Sequence, residues 1–295
     1  MPNHPDFICV GAQKAATTWL YDALSRTPGI FLPRIKELHY FSELYSVDAK
    51  RFGPKHRAEQ IEHIRAYHRA RNTGSEYERM VLDQLDHIES GPISDDWYRQ
   101  IFSFAHDNEI CAEICPCYMS LPVRGVRHML SINPLMRVLI LVRDPIDRLW
   151  SHMRMHAKSG YLELDPPAIL RGEIEMGPYL RYTDYATAIP RWESMSGSDR
   201  VKVMLYDRIR ENATASVDEI LDFIGLSGAK TKADLSQSVF SGQPADLPVD
   251  LHAMLYEKLK PQYEFLSTRF PAQTQAWVSH HKTAIEAYAA AQCNG

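Results

Sequence analysis

The stretch from Asp6 to Ser25 constrains this chain more than any other part of it. Phe7, Ile8, Cys9 and Val10 form a short apolar run that stops at Gly11, the pattern of a strand buried on both faces. From Thr17 onward, Trp19, Leu20, Ala23 and Leu24 recur at helical spacing. The turn between them carries Lys14, Ala15, Ala16, Thr17 and Thr18. A strand that enters a helix through small residues directs consecutive backbone N–H groups at one point, where the helix dipole also favours negative charge. Lys14 adds a mobile cation, and the two threonine hydroxyls add donors. The segment reads as an anion cradle for phosphate.

The cradle departs from the nucleotide-triphosphatase loop G-x-x-x-x-G-K-[ST], because its lysine precedes the small residues and no Gly-Lys pair opens the helix. A second apolar, β-branched run, Arg137 to Val142, leads into Arg143-Asp144-Pro145-Ile146-Asp147-Arg148-Leu149-Trp150-Ser151. Pro145 blocks further strand and suits a helix start. Arg143 at the strand end and Ser151 on the helix are placed to converge on one anion, for which a planar guanidinium is well matched.

Together the two segments resemble those of sulfotransferases that use 3′-phosphoadenosine 5′-phosphosulfate (PAPS). Lys14 to Leu20 is similar to that family's 5′-phosphosulfate motif K-x-G-T-T-x-L, with Ala16 where Gly is usual, so the turn must tolerate a methyl group. Arg143 to Ser151 is similar to its 3′-phosphate motif. The resemblance implies a three-layer, P-loop-like α/β domain with a central, mostly parallel sheet flanked by helices. It also implies PAPS as a consumed cosubstrate released as 3′-phosphoadenosine 5′-phosphate (PAP), with no metal required. By the same analogy Lys14, Ala15, Ala16, Thr17 and Thr18 hold the 5′ end. Arg143 and Ser151 hold the 3′-phosphate, and Arg148 makes either a structural salt bridge or a ligand contact. Trp19 packs on adenine or is buried between helix and sheet.

Pro33 to Ser42 contains Glu37 and His39, which in an extended segment project to the same side. Such a pair beside an activated group can deprotonate a hydroxyl. The segment resembles the E-x-H-F-F-D string of heparan sulfate sulfotransferases and bacterial relatives. That resemblance implies Glu37 as base with His39 orienting it, while the phenol and steroid branch, with its histidine base, makes His39 the competing assignment. Ser42 replaces the family Asp. Glu113-Ile114-Cys115-Pro116-Cys117-Tyr118 is similar to E-K-S/T-P-x-Y, with Ile114 in place of the lysine, which weakens a glycosaminoglycan acceptor. Trp97 and Tyr98 match a W-Y element and read as core. Tyr206-Asp207 resembles the Y-E-D end of a core strand. A nucleotide-closing loop is expected at 236–243, with Gly242.

The chain has 295 residues, 45% hydrophobic and 24% charged, enough for a single domain over 1–295. A polar, charge-rich stretch at about 43–105 reads as a helical acceptor-side insertion, with turns at Gly53-Pro54, Asn72-Thr73-Gly74 and Ser90-Gly91-Pro92. Val201 to Tyr206 reads as a further strand, and Val217–Ile224 and Leu251–Leu266 as amphipathic helices. A net charge of −4 argues against nucleic acid as a partner. No stretch approaches the roughly 20 apolar residues that span a bilayer. The N-terminus lacks the features of a signal peptide, so a cytoplasmic enzyme is expected. The five cysteines, an odd number, read as free thiols. Cys111, Cys115 and Cys117 lack the paired spacing of a zinc site and read as a strand and turn near the active site. The acceptor is expected to be a hydroxyl, or less readily an amine, on a small metabolite, lipid, polyketide or carbohydrate. Its identity and the oligomeric state are not legible. The rival readings are a small-molecule kinase with the same cradle and a non-catalytic nucleotide-binding module.

Overall fold

The computed structural model describes residues 4–71, 73–236 and 247–293. Five parallel strands form one sheet in the order β2-β3-β1-β4-β5: β1 Phe7–Gly11, β2 Ile30–Phe31, β3 Ile110–Ile114, β4 Arg137–Val142 and β5 Val201–Leu205. The central strands are apolar throughout because helices cover both faces; every residue of β1 is buried, and so are Val138 to Val142. The parallel register pairs Ile8 with Glu113 on one side and with Val138 on the other.

The first crossover runs through α1 (Thr17–Ser25), whose Trp19, Leu20, Ala23 and Leu24 form the buried stripe. Four helices, α2 (Tyr40–Tyr45), α3 (Val47–Arg71), α4 (Glu76–Glu89) and α5 (Asp95–Phe102), lie between β2 and β3. Ser75 and Ser94 cap α4 and α5 by accepting from Glu78 N and Trp97 N. After β3, a short 3₁₀ turn (Pro116–Ser120) leads to α6 (Val123–Ile132) and on to β4. Next comes α7 (Pro145–Lys158), with Pro145 at its first position and the Asp144 side chain accepting from Asp147 N. Then follow α8 (Pro166–Leu170), α9 (Gly177–Arg181), α10 (Tyr185–Ser196), α11 (Tyr206–Glu211), α12 (Ala213–Ile224), α13 (Val249–Arg269) and α14 (Pro271–Cys293).

Two expectations need correction. Gly53-Pro54 is not a turn: both lie inside α3. Gly53 is there for close approach, since a Cβ on it would sit 2.5 Å from the Glu43 carboxylate, and Glu43 in turn is held by Arg57 on the same helix. Tyr206 does not end β5 but opens α11. Trp97 and Tyr98 are buried, as read from the sequence, with Tyr98 stacked on Tyr40.

The chain moves from β1 to one side of the sheet, returns, and then builds β4 and β5 on the other side. Beyond the carboxyl ends of β1 and β4 this leaves the crevice where open α/β sheets bind ligands. The cradle follows β1, Arg143 follows β4, Tyr206 follows β5, the Cys115–Cys117 turn follows β3, and the Glu37 segment follows β2. Topology alone therefore brings every described candidate segment to one edge of the sheet.

Candidate active site at the carboxyl edge of the sheet

Lys14 and Ala16 both adopt left-handed backbone conformations, with φ of 70° and 72°. Ala16 is the N-cap of α1, and its side chain makes no capping bond. The turn thus keeps the conformation that favours glycine and carries a methyl group in it. Ala15 N bonds back to Ala12 O at 3.1 Å, closing the loop, and Ala12 N bonds to Leu141 O at 2.9 Å, tying the cradle to β4.

Cations gather around this turn. Burial and then the neighbouring Arg143, Arg154, Lys36 and Arg148 lower the Lys14 pKa from its ordinary value. Arg143 Nη1 donates to Lys14 O at 3.2 Å, and the guanidinium lies 4.9 Å over the Tyr206 ring. Its Nε is buried and has no hydrogen-bond partner among the described residues, while Asp147 stands 3.6 Å from Nη2. Arg148 is fully buried, and burial pushes its pKa down to about 10. It forms no salt bridge among the described residues. It donates instead to Tyr179 O at 2.6 Å, to Thr183 Oγ1 at 2.9 Å and to Gln13 O in the cradle at 3.5 Å, so it props the turn from behind. Ser151 is half-buried on α7, two turns beyond its start, and Arg154 follows one turn later. Trp19 takes the second of its two expected places, 7% exposed in the core between helix and sheet. Gly242 lies outside the described residues.

The Glu37–His39 segment is not extended. Both residues sit at left-handed φ, 66° and 60°, and His39 directly precedes α2. They meet because two left-handed residues fold the backbone back on itself, not because a strand alternates. Glu37 Oε2 lies 3.6 Å from His39 Nε2, while Oε1 is paired with Lys36 Nζ. Burial raises the Glu37 pKa, but Lys36, His39 and His56 outweigh it and hold the carboxyl below the usual range. His39 is completely buried, and burial lowers its pKa to about 4, so the ring is neutral at pH 7.

Ser42 Oγ lies 3.1 Å from both His39 O and His39 Nδ1, and Cys115 Sγ lies 3.8 Å from the same ring nitrogen. Nε2, on the other side of the ring, faces the Glu37 carboxylate. Ser42, in the position of the family Asp, thus keeps a polar partner beside His39 Nδ1.

Beneath this pair, Glu113 is buried and accepts from Tyr98 at 2.5 Å and from Tyr118 at 2.9 Å. Burial pushes its pKa up to about 7. Cys9, Cys111, Cys115 and Cys117 are free, buried thiols. Two contributors escaped the sequence reading, Lys36 and Arg154. Both had a legible signal, a base adjacent to Glu37 and a basic residue one helical turn after Ser151. Cys117, read from the sequence as part of a strand and turn near the active site, lies beside Glu37 and His39.

Comparisons with known proteins agree with this architecture. The profile of the sulfotransferase family matches residues 5–230. Human sulfotransferase 6B1 is 27% identical over 117 residues, and the match spans 37% of each chain, so this chain covers little more than a third of that curated relative. The crystal structure of a sulfotransferase from Alicyclobacillus acidocaldarius superposes with a TM-score of 0.64 at 20% identity, covering 93% of this chain and 98% of that one. A sulfotransferase domain from the curacin biosynthetic pathway gives 0.53 at 13% identity, over 81% and 80%. At these identities the structures speak for a shared fold. With the profile covering most of its length, the chain belongs to the sulfotransferase family.

Proposed function

We propose that this protein transfers a sulfuryl group from PAPS to a hydroxyl, or less readily an amine, of a small-molecule, lipid, polyketide or carbohydrate acceptor. The observation that carries the reading is the convergence of cations on the cradle: Lys14 is lowered by burial and then by Arg143, Arg154, Lys36 and Arg148. Positive groups gathered at a turn of this kind favour an anion. A donor with phosphates at both its 3′ and 5′ ends fits, because Lys14 follows β1 while Arg143, Ser151 and Arg154 belong to the β4–α7 unit. Family membership supports the same donor. When bound, PAPS supplies an already activated sulfuryl group, so the S–O bond to phosphate breaks as the acceptor oxygen forms its own bond to sulfur.

The chain's own residues then have three tasks. Backbone N–H groups from Ala16 to Thr18 and the threonine hydroxyls hold the 5′-phosphate, while the Ala15 N–H closes the turn onto Ala12 O. Lys14 balances charge growing on the departing oxygen, an effect on the order of 3 kcal/mol for one well-placed donor. Glu37, ionised at neutral pH and still 16% exposed at its side chain, takes the acceptor proton. His39 Nε2, 3.6 Å from that carboxylate, helps to orient it. His39 is sealed from solvent, so it acts on the acceptor only through Glu37. Helices α3 to α5 form the acceptor-side wall.

The test is transfer of label from PAPS into a pool of candidate acceptors, followed by mass measurement of the products. Labelled product should form, and Glu37→Gln should reduce turnover about 10² to 10⁴-fold, with His39→Gln costing less. Equal use of ATP as donor would replace this reading with phosphoryl transfer. A larger loss in His39→Gln than in Glu37→Gln would hand the base role to His39.

A further inference from the structure

Glu37, His39 and Cys117 come from two chain segments that the sheet brings together, and one ligating atom from each lies within 4.8 Å of the other two. His39 is fully buried, yet its Nε2 has no hydrogen-bond partner among the described residues and faces Glu37 Oε2 at 3.6 Å. In the tautomer with its proton on Nδ1, where Ser42 Oγ at 3.1 Å can accept it, both facing atoms are acceptors. Two converging lone pairs beside a sulfur atom form a place for a cation.

We propose that Glu37, His39 and Cys117 form a binding site for a thiophilic divalent cation of the zinc class, separate from the nucleotide cradle. A tetrahedral zinc ion, with bonds of about 2.0–2.3 Å to O, N and S, spaces its ligand atoms roughly 3.3–3.7 Å apart. The Glu37–His39 separation already meets that spacing. From the 4.8 Å limit, Cys117 needs to close by at most about 1.5 Å. Three protein ligands leave a fourth position open toward the acceptor side. The Cys117 thiol binds as thiolate, and its proton passes to solvent. With Nε2 on the metal, Nδ1 carries the ring proton, and Ser42 Oγ at 3.1 Å can accept it.

The surrounding charges set selectivity. Lys36 holds the other Glu37 oxygen, and Lys14 stands near enough to Lys36 to feel its charge. A hard cation held by charge alone is therefore disfavoured. An ion that gains from nitrogen and sulfur bonding is not, so zinc, cadmium and cobalt should bind where magnesium and calcium do not. Occupancy engages the carboxylate that the proposed reaction uses as its base, so the ion is an inhibitor rather than a cofactor. That consequence rests on the proposed function; the site itself does not.

The test uses the full chain, reduced and stripped of metal, titrated with cobalt(II) by absorption and with zinc(II) by calorimetry. The expected result is one saturable equivalent with a thiolate-to-cobalt charge-transfer band. Affinity should fall at least tenfold in folded Cys117→Ser and in His39→Gln, and excess magnesium should not compete. Absence of saturable binding or of a thiolate band in the unmodified protein overturns the proposal. So does an unchanged affinity in Cys117→Ser or Cys117→Ala. The readout needs neither nucleotide nor acceptor, so its outcome is separable from that of the sulfuryl-transfer reading.

Discussion

Ala16 shows how one residue can be legible in type and not in cost. The sequence shows a methyl group where glycine is usual, but only the backbone shows that the conformation stayed left-handed, at φ 72°. An L-residue there gives up about 1–2 kcal/mol, part of which glycine returns through the greater freedom of its unfolded chain. Ala16→Gly should therefore raise stability by about 0.5–1 kcal/mol, read as the urea midpoint at constant slope; a loss would mean that the methyl group packs usefully in the turn. The same limit applies to Glu37 and His39. Their chemistry was readable from residue type, whereas their meeting was credited to an extended segment. Two unfavourable φ angles bring them together instead, and no local pattern announces such angles.

Among the elements, strands β1, β4 and β5 were the most legible, because buried parallel strands are continuous apolar runs. The Arg143–Asp144–Pro145 junction illustrates both what was seen and what was hidden. Pro145 announced the start of α7, but nothing local showed that Asp144 also holds the C-terminal helices. Its carboxylate caps Asp147 N at 3.0 Å, accepts from Tyr263 of α13 at 3.1 Å and meets His281 of α14 at 2.8 Å, and Asp144, Tyr263 and His281 are buried. Asp144→Ala removes the cap and strands two buried partners, so it should cost about 3 kcal/mol in chemical denaturation. Asp144→Asn, which keeps an acceptor for the cap, should cost clearly less; equal losses would show that the three contacts carry no separate weight. The Gly53-Pro54 pair misled for a related reason: glycine next to proline usually signals a turn, and here it serves helix contact with Glu43.

Across the whole molecule, buried titratable groups tie stability to pH. Burial holds His39 and His252 at about 4, and burial with the Arg148 charge holds His152 at about 2, against roughly 6.5 when unfolded. For these three the unfolded chain binds more protons below pH 6.5, so they favour folding fully above that pH and lose their contribution as pH falls. Glu113, raised by burial to about 7, acts in the opposite sense between its unfolded value and 7. The depressed histidines outnumber Glu113, so the unfolded chain takes up protons as pH falls through this range. In metal-free buffer the urea midpoint should climb from pH 4.5 to 6.5 and level off above 7. A flat or falling profile would contradict the burial of these rings. No described helix is long and apolar enough to cross a membrane.

The central claim is that the crevice beyond β1 and β4 recognises a nucleotide with both a 5′ and a 3′ phosphate, and the most direct measurement is thermal stabilisation by PAP against ADP at equal concentration. A ligand that binds only the folded state at a hundred times its Kd adds about 2.7 kcal/mol, which for a chain of this size is a shift of several degrees. PAP should produce a shift of that order and ADP a much smaller one, with most of the difference lost in Arg143→Ala. Equal shifts from PAP and ADP, or a difference that survives Arg143→Ala, would contradict the account.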